Sequence, residues 1–332
     1  MELFQLTRRL IDIESITGNE KNVAFYLREY LAAMGAEVSL AEAEPDRPNV
    51  IALWGKPEVV LSTHLDTVPP FFPSREDGDF IYGRGSCDAK GIIAAQIEAV
   101  RRLRAEGKSG FGLLFVVGEE RNSAGALAAN QNPVGSRFLI DGEPTENRLA
   151  VGTKGVLRVA VEARGRMAHS AYPELGESAT EKLLDALELI RKLKLPEDAV
   201  LGKTTCNIGL IEGGVAPNVI PDFAQAELMY RIVQPGEELV AVLQSAIGTL
   251  ATVKTTFYLP PVKLGVVEGL ETAVVSFATD IPSLSAWGRP FLIGPGTIHV
   301  AHTDNERVPK AELVDAAEIY VKMVKKLKES DQ

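Results

Sequence analysis

A histidine and an aspartate stand two positions apart where an apolar stretch of the chain ends. Residues 59–61 are Val-Val-Leu, and Ser-Thr-His64-Leu-Asp66 follows. In an extended chain, residues i and i+2 point to the same side, so both side chains are expected to leave one face together. A histidine can bind a metal ion through one ring nitrogen while a carboxylate holds the proton of the other. Because His-x-Asp alone also fits a polar strand end, other residues must decide.

Further carboxylates follow other apolar runs or a glycine-rich loop, and they are Asp88, Glu119, Glu120 and Glu143. Open α/β sheets gather functional groups at the carboxyl ends of their strands, so these side chains are expected to meet. One histidine with several carboxylates and no cysteine suits Zn²⁺ or a similar divalent ion. If one carboxylate bridges, two ions about 3.5–4 Å apart can occupy the site together.

The elements that must position these residues alternate between strands and helices. Apolar spacing predicts helices within 1–36, broken at 15–18, and at 92–104, with strands at 38–40, 49–54, 59–63, 111–117 and 138–140. This alternation predicts an α/β fold with a mixed, mostly parallel sheet. A long loop is expected at 69–87. From about residue 155 the order of elements is βαββαβ, which is typical of a ferredoxin-like sandwich. The end of the chain predicts a helix near 270–280, a strand near 290–293 and a helix at about 310–328.

Length and composition limit the class of protein. The chain has 332 residues, 24% of them charged, and a net charge of -10, which argues against a nucleic-acid partner. No run approaches the roughly 18 apolar residues that cross a membrane, and the first residues lack a signal-peptide pattern, so we expect neither a membrane partner nor secretion. The cysteines, Cys87 and Cys206, fit a reducing cytoplasm. We expect both to be packing residues, with a reactive or ligating Cys87 as the alternative.

Seven stretches of this chain, in order, resemble motifs of the M20 peptidase family, which includes acetylornithine deacetylase, succinyl-diaminopimelate desuccinylase, aminoacylase and carboxypeptidase G. They are STHLD at 62–66, GRGSCDAKG at 83–91, GEE at 118–120, GEPT at 142–145, GRMAHS at 165–170, PN at 217–218 and AH at 301–302. The resemblance implies a zinc-peptidase-like catalytic domain at 1–154 and 261–332. It also implies that 155–260 is an inserted ferredoxin-like α+β dimerisation or lid domain.

Carried over residue by residue, the resemblance implies two divalent metal ions, with Zn²⁺ expected and Co²⁺ or Mn²⁺ as alternatives. Asp88 would bridge the two ions, and the remaining ligands would be His64 and Glu143 at one site and Glu120 and His302 at the other. Asp141 competes with Glu143 because it lies closer to the strand end.

The resemblance also implies roles for residues that do not bind metal. Glu119 would be the general base and Asp66 would orient His64. His169 would reach the active site of a partner subunit and support the oxyanion there, so that the protein acts as a homodimer. Asn218 would bind the oxyanion or the substrate. Arg231 would bind the substrate carboxylate, with a plain surface arginine as the alternative.

The chain departs from the family pattern before its last ligand. Thr279-Asp280 is followed by Ile-Pro, where many relatives have Ala-Arg. Trp287 and Arg289 would therefore shape a different substrate pocket, or Trp287 is core. His299 is expected to be a pocket or packing residue. Three cations either neutralise surplus carboxylates or are solvated, namely Arg84, Lys90 and Lys154.

The sequence therefore predicts a cytoplasmic, metal-dependent amidohydrolase that cleaves a small N-acyl amino acid, with acetylornithine deacetylase as the leading interpretation. Alternatives are release of lysine or ornithine from an N-acyl or carrier-linked form, desuccinylation, and cleavage of a dipeptide or a C-terminal residue. A non-catalytic metal-binding dimer is the alternative from another class. A free Glu119 argues against it, since a purely structural site needs no base.

Overall fold

The structure, a computed structural model, describes residues 2–329, and helices alternate with strands through its N-terminal part. Up to residue 153 the elements are α1 (Leu3–Ile11), α2 (Lys21–Ala33), β1 (Glu37–Glu44), β2 (Arg47–Trp54), β3 (Val59–His64), β4 (Arg75–Glu76), β5 (Phe80–Tyr82), α3 (Lys90–Ala105), β6 (Phe111–Val116), α4 (Ala124–Gln131), β7 (Phe138–Asp141) and β8 (Leu149–Thr153). The alternation follows the predicted α/β pattern.

The rest of the chain has a different order of elements. From 155 to 263 they are β9 (Gly155–Arg164), β10 (Ala168–His169), α5 (Ala179–Arg191), β11 (Glu197–Asp198), β12 (Gly202–Lys203), β13 (Thr205–Gly213), β14 (Val219–Ile220), β15 (Phe223–Ile232), α6 (Gly236–Ile247), β16 (Thr252–Leu259) and β17 (Val262–Lys263). The last elements are β18 (Thr272–Val275), β19 (Arg289–Leu292), β20 (Arg307–Pro309) and α7 (Lys310–Glu329).

The chain forms two units. One comprises the chain up to Val151, Leu264–Ala273 and the chain from Thr279, and the other comprises Gly152–Lys263 and Val274–Ala278. The segment Val274–Ala278, which the sequence assigned to the first domain, thus groups with the second unit. The catalytic and dimerisation roles of these segments stay predictions.

The first unit is built on a six-stranded mixed sheet of order β1-β2-β6-β3-β7-β19. β2 runs antiparallel to β1 and β6, whereas β3 is parallel to both β6 and β7, and β19 is parallel to β7. The central strands β3 and β6 are buried along their whole length, as expected of parallel strands covered on both faces. The predicted mixed, mostly parallel sheet is confirmed.

Helices cover both faces of this sheet. Because successive strand residues point to opposite faces, one strand contributes to two different cores. Val59 and Leu61 belong to a core shared with α1, α2, α3 and α7. Val60, between them, belongs to a smaller core shared with α4 and Trp287. The carboxyl ends of β3, β6 and β7 are therefore held between two packed layers, at one edge of the sheet.

The second unit has a four-stranded antiparallel sheet of order β13-β15-β9-β16. In chain order these elements are β9, α5, β13, β15, α6 and β16, which is the predicted βαββαβ arrangement. The apolar residues of α5 and α6 share one core with alternate residues of β9 and β15. The ferredoxin-like fold of this part is confirmed.

Several local predictions are wrong. The helix expected near 270–280 is strand β18, consistent with the β-branched residues at 272, 274 and 275. Helix α4 was not predicted, and the loop at 69–87 contains β4 and β5. Cys206, predicted to pack, is exposed on the edge strand β13. Across residues 2–329, no helix combines the length and the apolar character that crossing a membrane requires.

Candidate metal centre

The predicted ligands come from strand ends and loops of the first unit. His64 is the last residue of β3, Glu120 follows β6, and Glu143 follows β7. Asp88 lies in the turn before α3, and His302 lies in the segment before β20. Since β3 is parallel to β6 and β7, their carboxyl ends lie at the same edge of the sheet.

Asp88 lies between the two histidines, with one carboxylate oxygen toward each. His64 Nε2 is 2.9 Å from Asp88 Oδ1, and His302 Nε2 is 3.3 Å from Asp88 Oδ2. His302 Nε2 is also 2.9 Å from Glu120 Oε1. The ligand atoms of His64, Asp88 and Glu143 lie within 4.8 Å of one another, as do those of Asp88, Glu120 and His302. Asp88 is thus common to two sets of three potential ligands.

Negative charge is concentrated in this site. Burial raises the pKa of Glu143 well above its ordinary value, and the charges of Asp88 and Glu119 raise it further. Burial likewise raises the pKa of Glu119, which keeps part of its surface open, and the charges of Asp280, Glu120 and Asp88 add to this. These carboxylates therefore lack enough cationic partners.

Hydrogen bonds to carboxylates also raise the pKa values of the two histidines. Hydrogen bonds to Asp88 and, with a smaller effect, to Glu120 raise the pKa of His302 to about 10. Burial alone would lower the pKa of His64, but its hydrogen bonds with Asp66 and Asp88 raise it well above the ordinary value. Burial would raise the pKa of Asp88, and the bonds to both histidines lower it instead. Hydrogen bonds between Asp88 and the two histidines thus stabilise the ionised carboxylate and the protonated rings.

This donor set fits divalent metal ions. Imidazole nitrogens and carboxylate oxygens are ligands of Zn²⁺, and both sets offer three donors with a shared carboxylate. The buried excess of carboxylate charge is the surrounding that a cation stabilises. The residues that would hold the ions are those of the two sets, His64, Asp88 and Glu143, and Asp88, Glu120 and His302.

Asp66 has more contacts than its predicted role required. His64 Nδ1 is 2.9 Å from the Asp66 main-chain oxygen and 3.5 Å from its carboxylate. The carboxylate accepts hydrogen bonds from the main-chain N–H groups of Glu119 at 3.1 Å and Glu120 at 3.3 Å, and from Thr17 Oγ1 at 2.8 Å. Asp66 therefore fixes the backbone of the Glu119-Glu120 pair as well as the ring of His64.

Asp141 competes with Glu143 in the sequence and lies outside both ligand sets among the described residues. Its Oδ1 accepts a hydrogen bond from Ser62 Oγ at 2.5 Å, while Oδ2 is buried without a partner among residues 2–329. Burial raises the pKa of Asp141 to about 7 despite this bond. The geometry therefore favours Glu143 as the ligand.

The remaining predicted residues belong to the second unit. His169 ends β10, which pairs with β14, and Ser170 N donates to the Asn218 oxygen at 3.0 Å, so His169 and Asn218 lie on one short ribbon. Both are exposed. Arg231 lies on β15 opposite Thr205, and burial lowers its pKa. The ribbon places the two predicted oxyanion residues together.

Other residues that the sequence left open are now placed. Trp287 is fully buried and donates from Nε1 to the Ala129 oxygen at 3.1 Å, so it is core. Arg289 and His299 are exposed, so His299 is not a packing residue. Cys87 is buried, and burial raises the pKa of its thiol. Sequence patterns assigned no role to Thr17 or Glu306, which bond to Asp66 and to the Asp88 loop through contacts between segments distant in sequence.

The remaining cations differ in their surroundings. Arg84 is buried and pairs with Glu306, and Lys90 is buried and donates from Nζ to the Ile13 oxygen at 2.5 Å. Lys154 donates to the Lys203 oxygen at 2.6 Å within the second unit. Surface solvation is therefore wrong for Arg84 and Lys90.

Comparison with known protein families gives a match over most of the chain. The model of Peptidase family M20/M25/M40 matches residues 60–326. A Peptidase M20 domain-containing protein of Schizosaccharomyces pombe is 42% identical, over 97% of this chain and 84% of that protein. A protein of Aspergillus fumigatus named as a probable carboxypeptidase is 38% identical, over 97% of this chain and 86% of its own length.

Solved structures with the same fold include two peptidases. An aminopeptidase of Bacillus cereus superposes with a TM-score of 0.84 at 22% identity, covering 98% of both chains. An M20 family metallo-carboxypeptidase of Sulfolobus solfataricus superposes with a TM-score of 0.75 at 18% identity, covering 98% of this chain and 99% of that one. At these identities the likeness is one of fold.

Proposed function

We propose that this chain cleaves the amide bond before a C-terminal amino acid. It belongs to Peptidase family M20/M25/M40, and it is a metal-dependent hydrolase of peptide bonds. Its substrates are small N-acyl amino acids, acetylornithine-like compounds among them, or short peptides. One observation carries the metal-dependent chemistry: Asp88 presents its two oxygens to His64 and His302, so two ions can share one carboxylate. The likeness to a protein named as a probable carboxypeptidase supports cleavage before a C-terminal residue.

Two ions would be held by His64, Asp88 and Glu143 and by Asp88, Glu120 and His302, with Asp88 common to both sets. Zn²⁺ is the ion that this donor set suits best. The chemistry that such ions supply when bound is polarisation of the scissile carbonyl and a lowered pKa of water.

Glu119 is the general base in this proposal. Glu120 bonds to His302 and belongs to a ligand set, whereas Glu119 belongs to neither set among the described residues. Glu119 accepts a proton from the attacking water and delivers it to the leaving nitrogen. The hydrogen bond that the Glu119 N–H donates to the Asp66 carboxylate holds this residue in place while the proton moves.

His169 and Asn218 support the oxyanion that develops on the scissile carbonyl. His169 Nδ1 accepts a hydrogen bond from Ala171 N at 3.1 Å, which places the ring proton of the neutral imidazole on Nε2. Nε2 is therefore a donor, as stabilisation of an oxyanion requires. Arg231 binds the carboxylate of the released amino acid.

The protein is a homodimer that pairs through its second unit. β13 is an edge strand, and Leu210 and Ile211 on it are 54% and 57% exposed. Edge strands with exposed apolar side chains favour pairing with another strand. Light scattering after gel filtration tests this, with a monomer at micromolar concentration as the contrary result.

The test is hydrolysis by the zinc-loaded protein of N-acetylornithine, N-acetyl-lysine, N-succinyl amino acids and dipeptides, each with a free or an amidated carboxyl terminus. Glu119→Gln is measured alongside, and Glu106→Gln, an exposed glutamate paired with Lys325, is the control. We expect cleavage only of substrates with the free carboxylate. Glu119→Gln should keep both ions and lose about 10²–10⁴-fold in rate.

Two results would contradict the proposal. Cleavage of amidated peptides that depends on a free amino terminus would make the protein an aminopeptidase. Undiminished activity of Glu119→Gln would remove the general base from the mechanism.

A further inference from the structure

Glu306, four residues after His302, has a carboxylate that is buried and fully engaged. Its side chain is 1% exposed. Oε1 accepts hydrogen bonds from three main-chain N–H groups, those of Gly85 at 2.9 Å, Cys87 at 3.2 Å and Asp88 at 3.2 Å. Oε2 accepts from Arg84 Nη1 at 2.6 Å. The loop that carries the bridging carboxylate is therefore folded around a single oxygen of Glu306.

Arg84 is itself held in place independently of Glu306. It is 1% exposed, and its Nε donates to the Pro70 oxygen at 3.2 Å. Its Nη1 also donates to the Thr303 oxygen at 3.3 Å, and its guanidinium lies over the ring of Phe72, 4.9 Å from the centroid. The buried ion pair therefore joins the Asp88 loop to the segment that follows His302.

A main-chain hydrogen bond also joins the same two segments: Gly83 N donates to the main-chain oxygen of Glu306 at 3.2 Å. Asp88 and His302 are far apart in sequence, yet their side chains are 3.3 Å apart. The Glu306 carboxylate accepts a hydrogen bond from the N–H of Asp88 itself, and Glu306 lies four residues beyond His302. It thus fixes the position of the bridging ligand relative to the ligand on the other segment.

We propose that Glu306 is a positioning residue for the metal centre, setting the distance between Asp88 and His302 through the amides of the 85–88 loop. The inference rests on the ligand assignment under the proposed function. Glu306 lies in neither ligand set among residues 2–329, and neither the motif resemblance nor the spacing gives it a role.

Only a carboxylate satisfies these partners, since every group that faces it is a donor. In Glu306→Gln the amide NH₂ must face either the three N–H groups or the Arg84 guanidinium, and donors would then oppose each other. In Glu306→Asp the charge stays, but the carboxylate is one bond shorter and cannot reach both the loop amides and Arg84. Both variants should displace Asp88 without touching a ligand.

The experiment measures metal binding directly, by titration calorimetry with Zn²⁺ and by the absorption spectrum of the Co²⁺ form, at 10 °C. Wild type, Glu306→Gln and Glu306→Asp are compared, with Glu76→Gln as the control, because Glu76 is a partly exposed glutamate paired with Arg8 and Lys310 in the same unit. Loss of a partner that orients metal ligands lowers metal affinity by about 10–100-fold. We expect that loss for at least one ion and an altered Co²⁺ spectrum in both Glu306 variants, with wild-type values in the control.

The outcomes separate the inference from its premise. If the wild type does not bind two ions, the ligand assignment is wrong and the inference falls with it. If the wild type binds two ions and the Glu306 variants do so with unchanged affinity and spectrum, Glu306 only stabilises the fold, whatever happens to the melting temperature. Should Glu306→Gln not fold, Glu306→Asp, which keeps a negative charge at this position, gives the result alone.

Discussion

Replacing Asp66 by asparagine separates two roles that the sequence could not distinguish. The sequence predicts that Asp66 orients His64, so its loss would weaken metal binding. In the structure the nearer partner of His64 Nδ1 is the main-chain oxygen of Asp66, at 2.9 Å against 3.5 Å for the carboxylate. Asp66→Asn keeps that oxygen. What it removes is the anion that holds the N–H groups of Glu119 and Glu120.

The magnitude follows from the bonds that are lost. Asparagine has a single acceptor oxygen, so at least one of the two N–H groups is left without its partner. A buried group left unsatisfied costs about 1–3 kcal/mol, and for a unit of this size each kcal/mol lowers the melting temperature by about 2–4 °C. We expect a decrease of roughly 2–12 °C. A displaced base near the reacting atoms costs about 10²-fold in kcat/KM.

Zinc affinity should fall by less than about tenfold, below the 10–100-fold typical of a histidine that loses its partner. The assays are thermal unfolding, zinc titration and steady-state kinetics on the substrate found in the panel. Asp46→Asn is the control, because Asp46 is an aspartate of the same unit with a side chain 77% exposed. A variant that loses zinc affinity strongly while zinc-saturated protein keeps wild-type kcat would refute the anchoring of Glu119.

Three further predictions concern the core, the pH dependence of stability and metal removal. Trp287→Ala should lower stability by about 3–5 kcal/mol and leave KM unchanged, since this side chain is core; a changed KM with unchanged stability would place it in the substrate pocket. Burial raises the pKa of Asp280 to about 6, above its unfolded value near 3.8, so the folded state binds more protons between these values and loses stability as pH rises through them. In metal-free protein, Asp280→Asn should therefore gain about 2–3 kcal/mol relative to wild type between pH 4 and pH 7, and a pH-independent difference would contradict this. A chelator should abolish hydrolysis and added Zn²⁺ should restore it; activity that persists without metal would exclude the proposed reaction.

The sequence predicted the architecture well where local patterns decide it. Buried apolar runs at 59–61 and 111–117 became the central parallel strands, and the polar residues after them meet at one edge of the sheet. An apolar run of this kind can be assigned as a buried strand when strands and helices alternate along the chain. The ferredoxin-like part followed from its element order for the same reason.

The errors have a common origin in long-range pairing. Residues 272–275 form strand β18, where the sequence predicted a helix near 270–280. Cys206 lies on β13, and its exposure follows from the position of that strand at the edge of a sheet, which a single strand's sequence does not reveal. Pairing partners decide such cases.

The side-chain anchors were also outside the reach of sequence patterns. Asp66 and Glu306 each accept bonds from main-chain N–H groups of loops distant in sequence. Every residue offers such an N–H, so no residue type marks the partner. Motif spacing could propose ligands, but the contacts that hold them required the fold.

In the proposed metal centre, Asp88 bridges two divalent ions while Glu119 binds neither. The most direct measurement is anomalous diffraction at the zinc edge from crystals of the zinc-loaded protein. We predict two peaks about 3.5–4 Å apart, with Asp88 contacting both. His64 and Glu143 should complete one site, and Glu120 and His302 the other, at about 2.0–2.2 Å. A single peak, or a peak bound by Glu119 or Asp141, would contradict the account.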